Sequence, residues 1–175
     1  LKGDGKLEEI SMPSPVARAI VPHGADRFLV ATEEAGLVSL RRGSDGSLKQ
    51  DNTWNKGAGL CSDLAQAIWA DPNGELWVGT DSGLAHGTPG PDGAVNWRCL
   101  TETDGLPAHD ITAIARLASG RLAVGFFLVG VGLYDGQSWS LFGAEDGRRS
   151  QSIWSILERE PGVVWVGQID AVPLR

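Results

Sequence analysis

The stretch Asp71-Pro72-Asn73-Gly74-Glu75-Leu76-Trp77-Val78-Gly79-Thr80 decides the fold, because it joins a turn signal to a short apolar strand. Asp, Pro, Asn and Gly favour a tight turn, and Gly74 stands where a positive φ is expected. Aromatic and β-branched residues after the turn are typical of a strand that is covered on both faces. A short apolar segment around Ile68 precedes the turn, so the whole stretch predicts a β-hairpin.

The same hairpin recurs four times along the 175 residues. Each copy has an isoleucine 11 positions before a small residue, in the pairs Ile20 and Ala31, Ile68 and Gly79, Ile114 and Gly125, and Ile156 and Gly167. The isoleucines are 48, 46 and 42 residues apart. A second mark, an Asp-Gly pair, recurs with a similar period at Asp4, Asp45, Asp92 and Asp135. Such a regular period indicates one structural unit copied along the chain.

Each unit contains four short strands, A to D, because one strand precedes the Asp-Gly pair and another follows it. Four strands in 40 to 50 residues are typical of a β-propeller blade. The predicted fold is therefore all-β, a propeller or propeller fragment over 1–175 with about four blades of four antiparallel strands. The approximate blades are 16–53, 64–100, 110–143, and 153–175 completed by 1–11.

The order of the predicted strands does not decide how the ring of blades is closed. A D-type strand at Lys6–Ile10 opens the chain, and a C-type strand is expected at Ala171–Leu174. Pairing the first strand with the last blade would remove open sheet edges. Three arrangements fit: a self-closed four-bladed ring, two chains that form an eight-bladed ring, and a fragment of a longer propeller.

Composition excludes several classes of protein. The net charge of −7 and the pI of about 4.9 count against a nucleic-acid partner. The longest apolar run, Leu122–Tyr134, has 13 residues and three glycines, which is too short for a membrane helix. No signal-peptide pattern opens the sequence, so none is expected. Only Cys61 and Cys99 are present, and two separate thiols are favoured over one bridge.

Motifs for catalysis or metal binding are missing from the sequence. None of the three histidines has a second histidine or cysteine at metal-ligand spacing. There is no EF-hand loop and no Gly-x-Ser-x-Gly nucleophile elbow. No catalytic residue, metal or cofactor is therefore predicted.

The repeats resemble those of the two-component regulator propeller family. The segment Asp71 to Thr80 followed by Gly83-Leu84 carries the resemblance, as do Leu106 to Ile114 with Gly120-Arg121-Leu122 and the tail Asp135 to Trp139. In that family such blades form sensory, extracytoplasmic parts of membrane-bound signalling proteins. The resemblance thus implies a periplasmic or extracellular location.

Loops on a rigid scaffold commonly carry recognition, so the rim made by the D-to-A and B-to-C loops is the candidate site. Its candidate ligand-binding residues are Asp63, Asp81, His109, Asp110, Arg148, Arg149 and Trp154. They suit a polar small molecule or a carbohydrate, with Trp154 as a stacking surface, or an ordinary solvated loop face. A contact between His109 and Asp63 or Asp110 would favour an enzyme.

The favoured hypothesis is a non-enzymatic recognition module for ligand sensing or protein interaction. Its expected partners are a small molecule, a carbohydrate or a protein, with a homodimer if four blades do not close alone. The alternative is a propeller enzyme, a lyase or a glycan-active enzyme, with its site at the mouth of the channel.

The third repeat departs from the pattern. Ala123 stands where two other copies have Trp77 and Trp165, and extra apolar residues follow it. Phe126 or Phe127 is expected to fill the space that the smaller side chain leaves. The alternative is an exposed apolar loop that binds a partner.

Overall fold

The computed structural model describes residues 9–91, 94–143 and 151–170. Within them the chain forms three four-stranded antiparallel sheets and one two-stranded sheet, taken in chain order as sheets 1 to 4. In each sheet every strand pairs with the next one along the chain. The innermost strands of consecutive sheets pack side by side, which is the arrangement of propeller blades.

The strand boundaries repeat closely from sheet to sheet. Sheet 1 contains β1 (Ala17–His23), β2 (Arg27–Thr32), β3 (Leu37–Arg42) and β4 (Leu48–Trp54). Sheet 2 contains β5 (Ala65–Ala70), β6 (Leu76–Thr80), β7 (Gly83–Pro89) and β8 (Val95–Leu100). Sheet 3 contains β9 (Ile111–Arg116), β10 (Leu122–Phe126), β11 (Gly130–Tyr134) and β12 (Trp139–Gly143). Sheet 4 contains β13 (Gln151–Glu160) and β14 (Val163–Asp170).

The predicted hairpins are confirmed at their turns. In sheet 2, Ile68 pairs with Val78 across β5 and β6. Gly74, Gly120 and Gly162 have φ values of 90°, 83° and 83°, the left-handed conformation that a glycine adopts without steric strain. No helix in the described ranges is long and apolar enough to cross a membrane.

Two proposed terminal strands lie largely outside the described residues. Of Lys6–Ile10 only the last two residues are described, and neither belongs to a strand. The expected strand at Ala171–Leu174 falls wholly outside. Closure of a ring through these segments therefore stays a prediction.

The recurrent small residue lets neighbouring sheets approach each other. A Cβ added at Gly79 would clash with Ile111 of sheet 3, and one added at Gly125 would stand 2.8 Å from Cγ2 of Ile153 in sheet 4. In the first interface, Ala31 and Ala65 belong to one buried cluster. Two alanines there take the place of a glycine and an isoleucine. At each interface, the side chain on one strand is therefore small enough for the side chain that it meets on the next strand.

Replacing Gly125 by Ala tests this matching. The added methyl overpacks the contact with Ile153, and we expect a loss of about 1–3 kcal/mol in the free energy of unfolding, measured with urea. Adding Ile153→Ala reproduces the two alanines of the first interface, so the double variant should lose less than the two single losses combined. If the loss in the double variant equalled the sum of the two single losses, the proposed contact between positions 125 and 153 would be contradicted.

The expectation of two separate thiols is wrong, because Cys61 and Cys99 form a disulfide with their Cα atoms 5.2 Å apart. Cys61 lies in the loop that leads into β5, and Cys99 lies near the end of β8. In a meander of four antiparallel strands, the first strand starts at the same end of the sheet at which the last strand finishes. Residues 38 positions apart are thereby brought together, which the cysteine count alone did not reveal.

Removal of the bridge should destabilise the protein. A closed loop of this length restricts the unfolded chain, and we expect Cys61→Ser with Cys99→Ser to lower the free energy of unfolding by about 4 kcal/mol. Urea denaturation measures the loss. Reduction of the unchanged protein with dithiothreitol should lower it by a similar amount, whereas equal stability with and without reductant would contradict the prediction.

The expected filling of the Ala123 position by a phenylalanine is also wrong. Phe126 is buried with Leu122 in the cluster that contains Trp77, between sheets 2 and 3. Ala123 faces the opposite side of the sheet, because neighbouring residues of a strand alternate between its faces. Phe127 is exposed and meets Trp154 edge-on, with ring centres 6.5 Å apart.

The outward faces of the first and last sheets carry exposed apolar side chains. Ile20 is 61% exposed, whereas Ile68 at the same position of sheet 2 is 5% exposed. Trp165 is 58% exposed, whereas its counterpart Trp77 is 5% exposed. Positions that are buried between internal sheets therefore face outwards at both ends.

Candidate functional site

Each innermost strand contains a β-bulge at the same repeat position, and β13 has a second register shift between Glu158 and Glu160. The register shifts between Ala17 and Ala19 in β1, between Ala65 and Ala67 in β5, and between Ile153 and Ser155 in β13, and a matching shift occurs in β9. The extra residues are Arg18, Gln66, Thr112 and Trp154. A bulge leaves the extra residue outside the ladder and redirects its side chain.

These four residues line one cavity of about 270 Å³. Its remaining walls come from the same four innermost strands, including Ala67, Ile68 and Ser155. All four sheets thus contribute one bulged residue to a single space at the point where their inner strands converge. Concave sites with a few polar groups are the usual form of small-molecule sites.

Two of the four residues are held by acidic neighbours from the loops. Arg18 forms an ion pair with Glu33, in the loop between β2 and β3. The Gln66 side-chain amide donates a hydrogen bond of 2.6 Å to Oδ1 of Asp110, at the end of the loop that leads into β9. The loops therefore orient the cationic and amide groups of the cavity.

Thr112 and Trp154 have different roles. The Thr112 hydroxyl lies against the carbonyl oxygens of Gly125 and Ile153, so it joins sheet 3 to sheet 4. Trp154 is 41% exposed and lines the cavity. The cavity thus combines a guanidinium group, an amide and an aromatic surface, which suits a polar ligand with a ring that can stack.

The residues predicted for the loop rim do not form one group. Trp154 lines the cavity and Asp110 supports Gln66, whereas Asp63 accepts a hydrogen bond from the Lys56 amide at 2.6 Å. Asp81 accepts a hydrogen bond of 3.1 Å from the hydroxyl of Ser82. Arg148 and Arg149 lie outside the described residues.

His109 contacts neither Asp63 nor Asp110 in the hydrogen bonds of the described residues. Its Nδ1 lies 2.8 Å from Oε1 of Glu102, and both side chains are exposed. The hydrogen bond from His109 holds the pKa of Glu102 below its usual value. The only histidine predicted for the site therefore belongs to a surface pair away from the cavity lining.

Sequence reasoning missed Arg18, Gln66 and Thr112 as a set. The signal was present, because each stands immediately before the residue that precedes the repeat isoleucine. Strand alternation alone does not show that this position is bulged in every copy, so a shared cavity was not predicted.

Comparison with known proteins shows likeness at the level of structure. No family model matches the chain, and no curated protein matches it. The chain is similar to an extracellular domain assigned to the hybrid two-component system BT3049 of B. thetaiotaomicron, with a TM-score of 0.76 and 19% identity. A domain assigned to the one-component system BT4673 of the same organism gives a TM-score of 0.64 and 17% identity.

The chain is much shorter than these structures. The first alignment covers 95% of this chain and 23% of the other, and the second covers 87% and 20%. The chain therefore spans between a fifth and a quarter of the length of the structures it resembles. The likeness establishes an all-β fold of blade-like sheets.

Trp154 and Trp77 should respond differently to substitution. Trp77 is buried between sheets 2 and 3, and we expect Trp77→Ala to lower the free energy of unfolding by about 3–5 kcal/mol. Trp154→Ala should lower it by about 1 kcal/mol or less, since that side chain is partly exposed. Urea denaturation of both variants makes the comparison, and equal losses would show that Trp154 is a packing residue.

Proposed function

We propose that this chain is a non-enzymatic ligand-sensing module of a β-propeller type, belonging to an extracytoplasmic signalling protein. The observation that carries the proposal is the convergence of four bulged residues on one cavity. A structural repeat alone requires small apolar residues at the centre. Arg18, Gln66 and Trp154 are instead polar or aromatic and partly accessible.

The chemistry of the cavity favours a polar ring-shaped ligand such as a carbohydrate. The Trp154 ring offers a flat apolar surface, and the Gln66 amide and the Arg18 guanidinium can donate hydrogen bonds to hydroxyl or carboxylate oxygens. Glu33 and Asp110 keep these donors in place. Such an arrangement recognises a ligand without requiring any proton transfer.

An extracytoplasmic location agrees with two observations. Disulfides form and persist in oxidising compartments, and Cys61 and Cys99 are joined. The similar structures are extracellular domains of two-component and one-component systems. Both observations support a sensing role outside the cytoplasm.

The enzyme alternative has weaker support. Lyases and glycosidases need acid and base groups at the reacting atoms. The described lining of the cavity contains no histidine or carboxylate, and the pair of His109 and Glu102 lies exposed at the surface. Binding is therefore favoured over catalysis.

A panel of neutral and acidic monosaccharides and disaccharides tests the proposal by thermal unfolding and calorimetry. We expect one class to raise the melting temperature, and Arg18→Ala and Trp154→Ala to weaken its binding at least tenfold. Phe142→Ala is the matched control, since that exposed ring lies on the outermost strand of sheet 3. Equal binding by all three variants would place the ligand elsewhere, and release of shortened glycans would favour the enzyme.

The exposed outward faces of sheets 1 and 4, here called the end faces, support a second proposal, a head-to-tail homodimer. Ile20 and Trp165 occupy positions that meet neighbouring sheets inside the chain, so the two end faces are complementary by repetition. Two chains would form a ring of eight sheets, within the usual range of propellers.

Light scattering tests the homodimer directly. We expect a mass of twice the 18.5 kDa of one chain. Trp165→Asp should reduce it to one chain, because a charge on the covered face opposes association. A mass of one chain for the unchanged protein would overturn this proposal without affecting the ligand site.

A further inference from the structure

The first interface between sheets lacks the side chains that fill the second. Between sheets 2 and 3, Trp77 and His86 pair across β6 and β7 and stack with ring centres 3.9 Å apart. Leu29 and Ser39 occupy the same positions in sheet 1 and pair across β2 and β3 in the same register. A leucine and a serine fill far less space than an indole on an imidazole, so an opening remains beside them.

This opening is a cavity of about 220 Å³ between sheets 1 and 2. Its polar wall contains Arg27, Ser39, Asp51 and Asn52, and its apolar wall includes Trp54 and Leu76. A wider groove on the side of the β1–β2 turn shares Arg27 with it and provides a way in. Cavities below about 300 Å³ suit molecules smaller than a typical drug.

Two opposite charges stand together on the polar wall. Asp51 is the extra residue of a β-bulge in β4, and its Oδ2 lies 3.0 Å from Nε of Arg27. The guanidinium has five N–H groups and the carboxylate has two oxygens, so each retains capacity for a ligand. Burial and the charge of Arg27 lower the pKa of His23 beside them, which keeps that imidazole neutral at neutral pH.

Nε of Arg27 provides a second indication of a ligand. This atom is buried, and although Oδ2 of Asp51 lies 3.0 Å away, it makes no hydrogen bond within the described part of the chain. Ser39, which is 2% exposed, lines the same cavity. A buried N–H group without a partner is unfavourable unless a bound molecule supplies one.

We propose that this cavity binds a free amino acid with an apolar side chain. The α-carboxylate accepts hydrogen bonds from the free N–H groups of Arg27, and the α-ammonium group donates to Asp51. The side chain of the amino acid packs on Trp54 and Leu76, which line the same cavity. A zwitterion keeps both protein charges paired when water is expelled, whereas a ligand with one charge leaves the other group without its partner.

The site is separate from the cavity of the four bulged residues. Arg27 begins β2 after the turn that ends β1, whereas Arg18 lies near the start of β1. The two cavities therefore open at opposite ends of the same strands. The inference does not depend on the proposed sensing site, and either can fail without the other.

Calorimetry and thermal unfolding with L-leucine and L-phenylalanine test the inference. We expect at least one of the two to bind and to raise the melting temperature. Leucinamide, which lacks the carboxylate, and 4-methylpentanoate, which lacks the ammonium group, should bind at least tenfold more weakly. Absence of binding by both amino acids, or binding of either analogue as tight as that of L-leucine, would overturn the proposal.

Variants locate the site. Leu29→Trp with Ser39→His copies the side chains of the second interface and should abolish binding by filling the cavity. Asp51→Asn should weaken binding at least tenfold, and it decides the question if the filled variant does not fold. Asp45→Asn, in an exposed turn of the same sheet, is the control and should bind as the unchanged protein does. Unaltered binding by Asp51→Asn would overturn the assignment.

Discussion

Close approach between consecutive sheets is the constraint on which the structure depends. Each sheet is apolar on both faces and is stable only when its neighbour covers it, so the innermost strands must pack at short distance. Gly79 and Gly125 make this possible because a methyl group at either position would overlap the isoleucine of the next sheet. Ala31 and Ala65 reach the same fit with two small side chains. Each of these interfaces therefore has at least one small side chain where the inner strands meet, and the size of the other residue varies.

The same packing accounts for the candidate site. Inner strands that converge around one point leave little room for regular side chains, and a bulge in each strand redirects one residue towards the shared space. Arg18 and Gln66 contact acidic residues of the loops, and Thr112 joins sheet 3 to sheet 4. Equivalent positions of the repeat therefore have different roles, which depend on the residue type at each position.

The internal interfaces between sheets differ in how completely side chains fill them. The stacked pair of Trp77 and His86 closes the space between sheets 2 and 3, whereas Leu29 and Ser39 leave a cavity with a charged wall between sheets 1 and 2. An empty cavity lowers the stability of the fold, because the atoms that line it lose dispersion contacts. At the two ends Ile20 and Trp165 remain exposed, which makes those faces suited to contact with further sheets.

The sequence by itself determined the local elements. The period of the isoleucines and the turn residues around Gly74 predicted the hairpins and their order, because turn geometry and strand alternation depend on neighbours in the chain. Of the residues in or beside the candidate cavity, the sequence analysis named Trp154 and Asp110. Tertiary structure decided the joining of Cys61 to Cys99, the surface position of His109, and the meeting of Arg18 with Gln66. These depend on how far one sheet turns against the next and on where each strand bulges, and such distances between separate repeats are not encoded in any short stretch of residues.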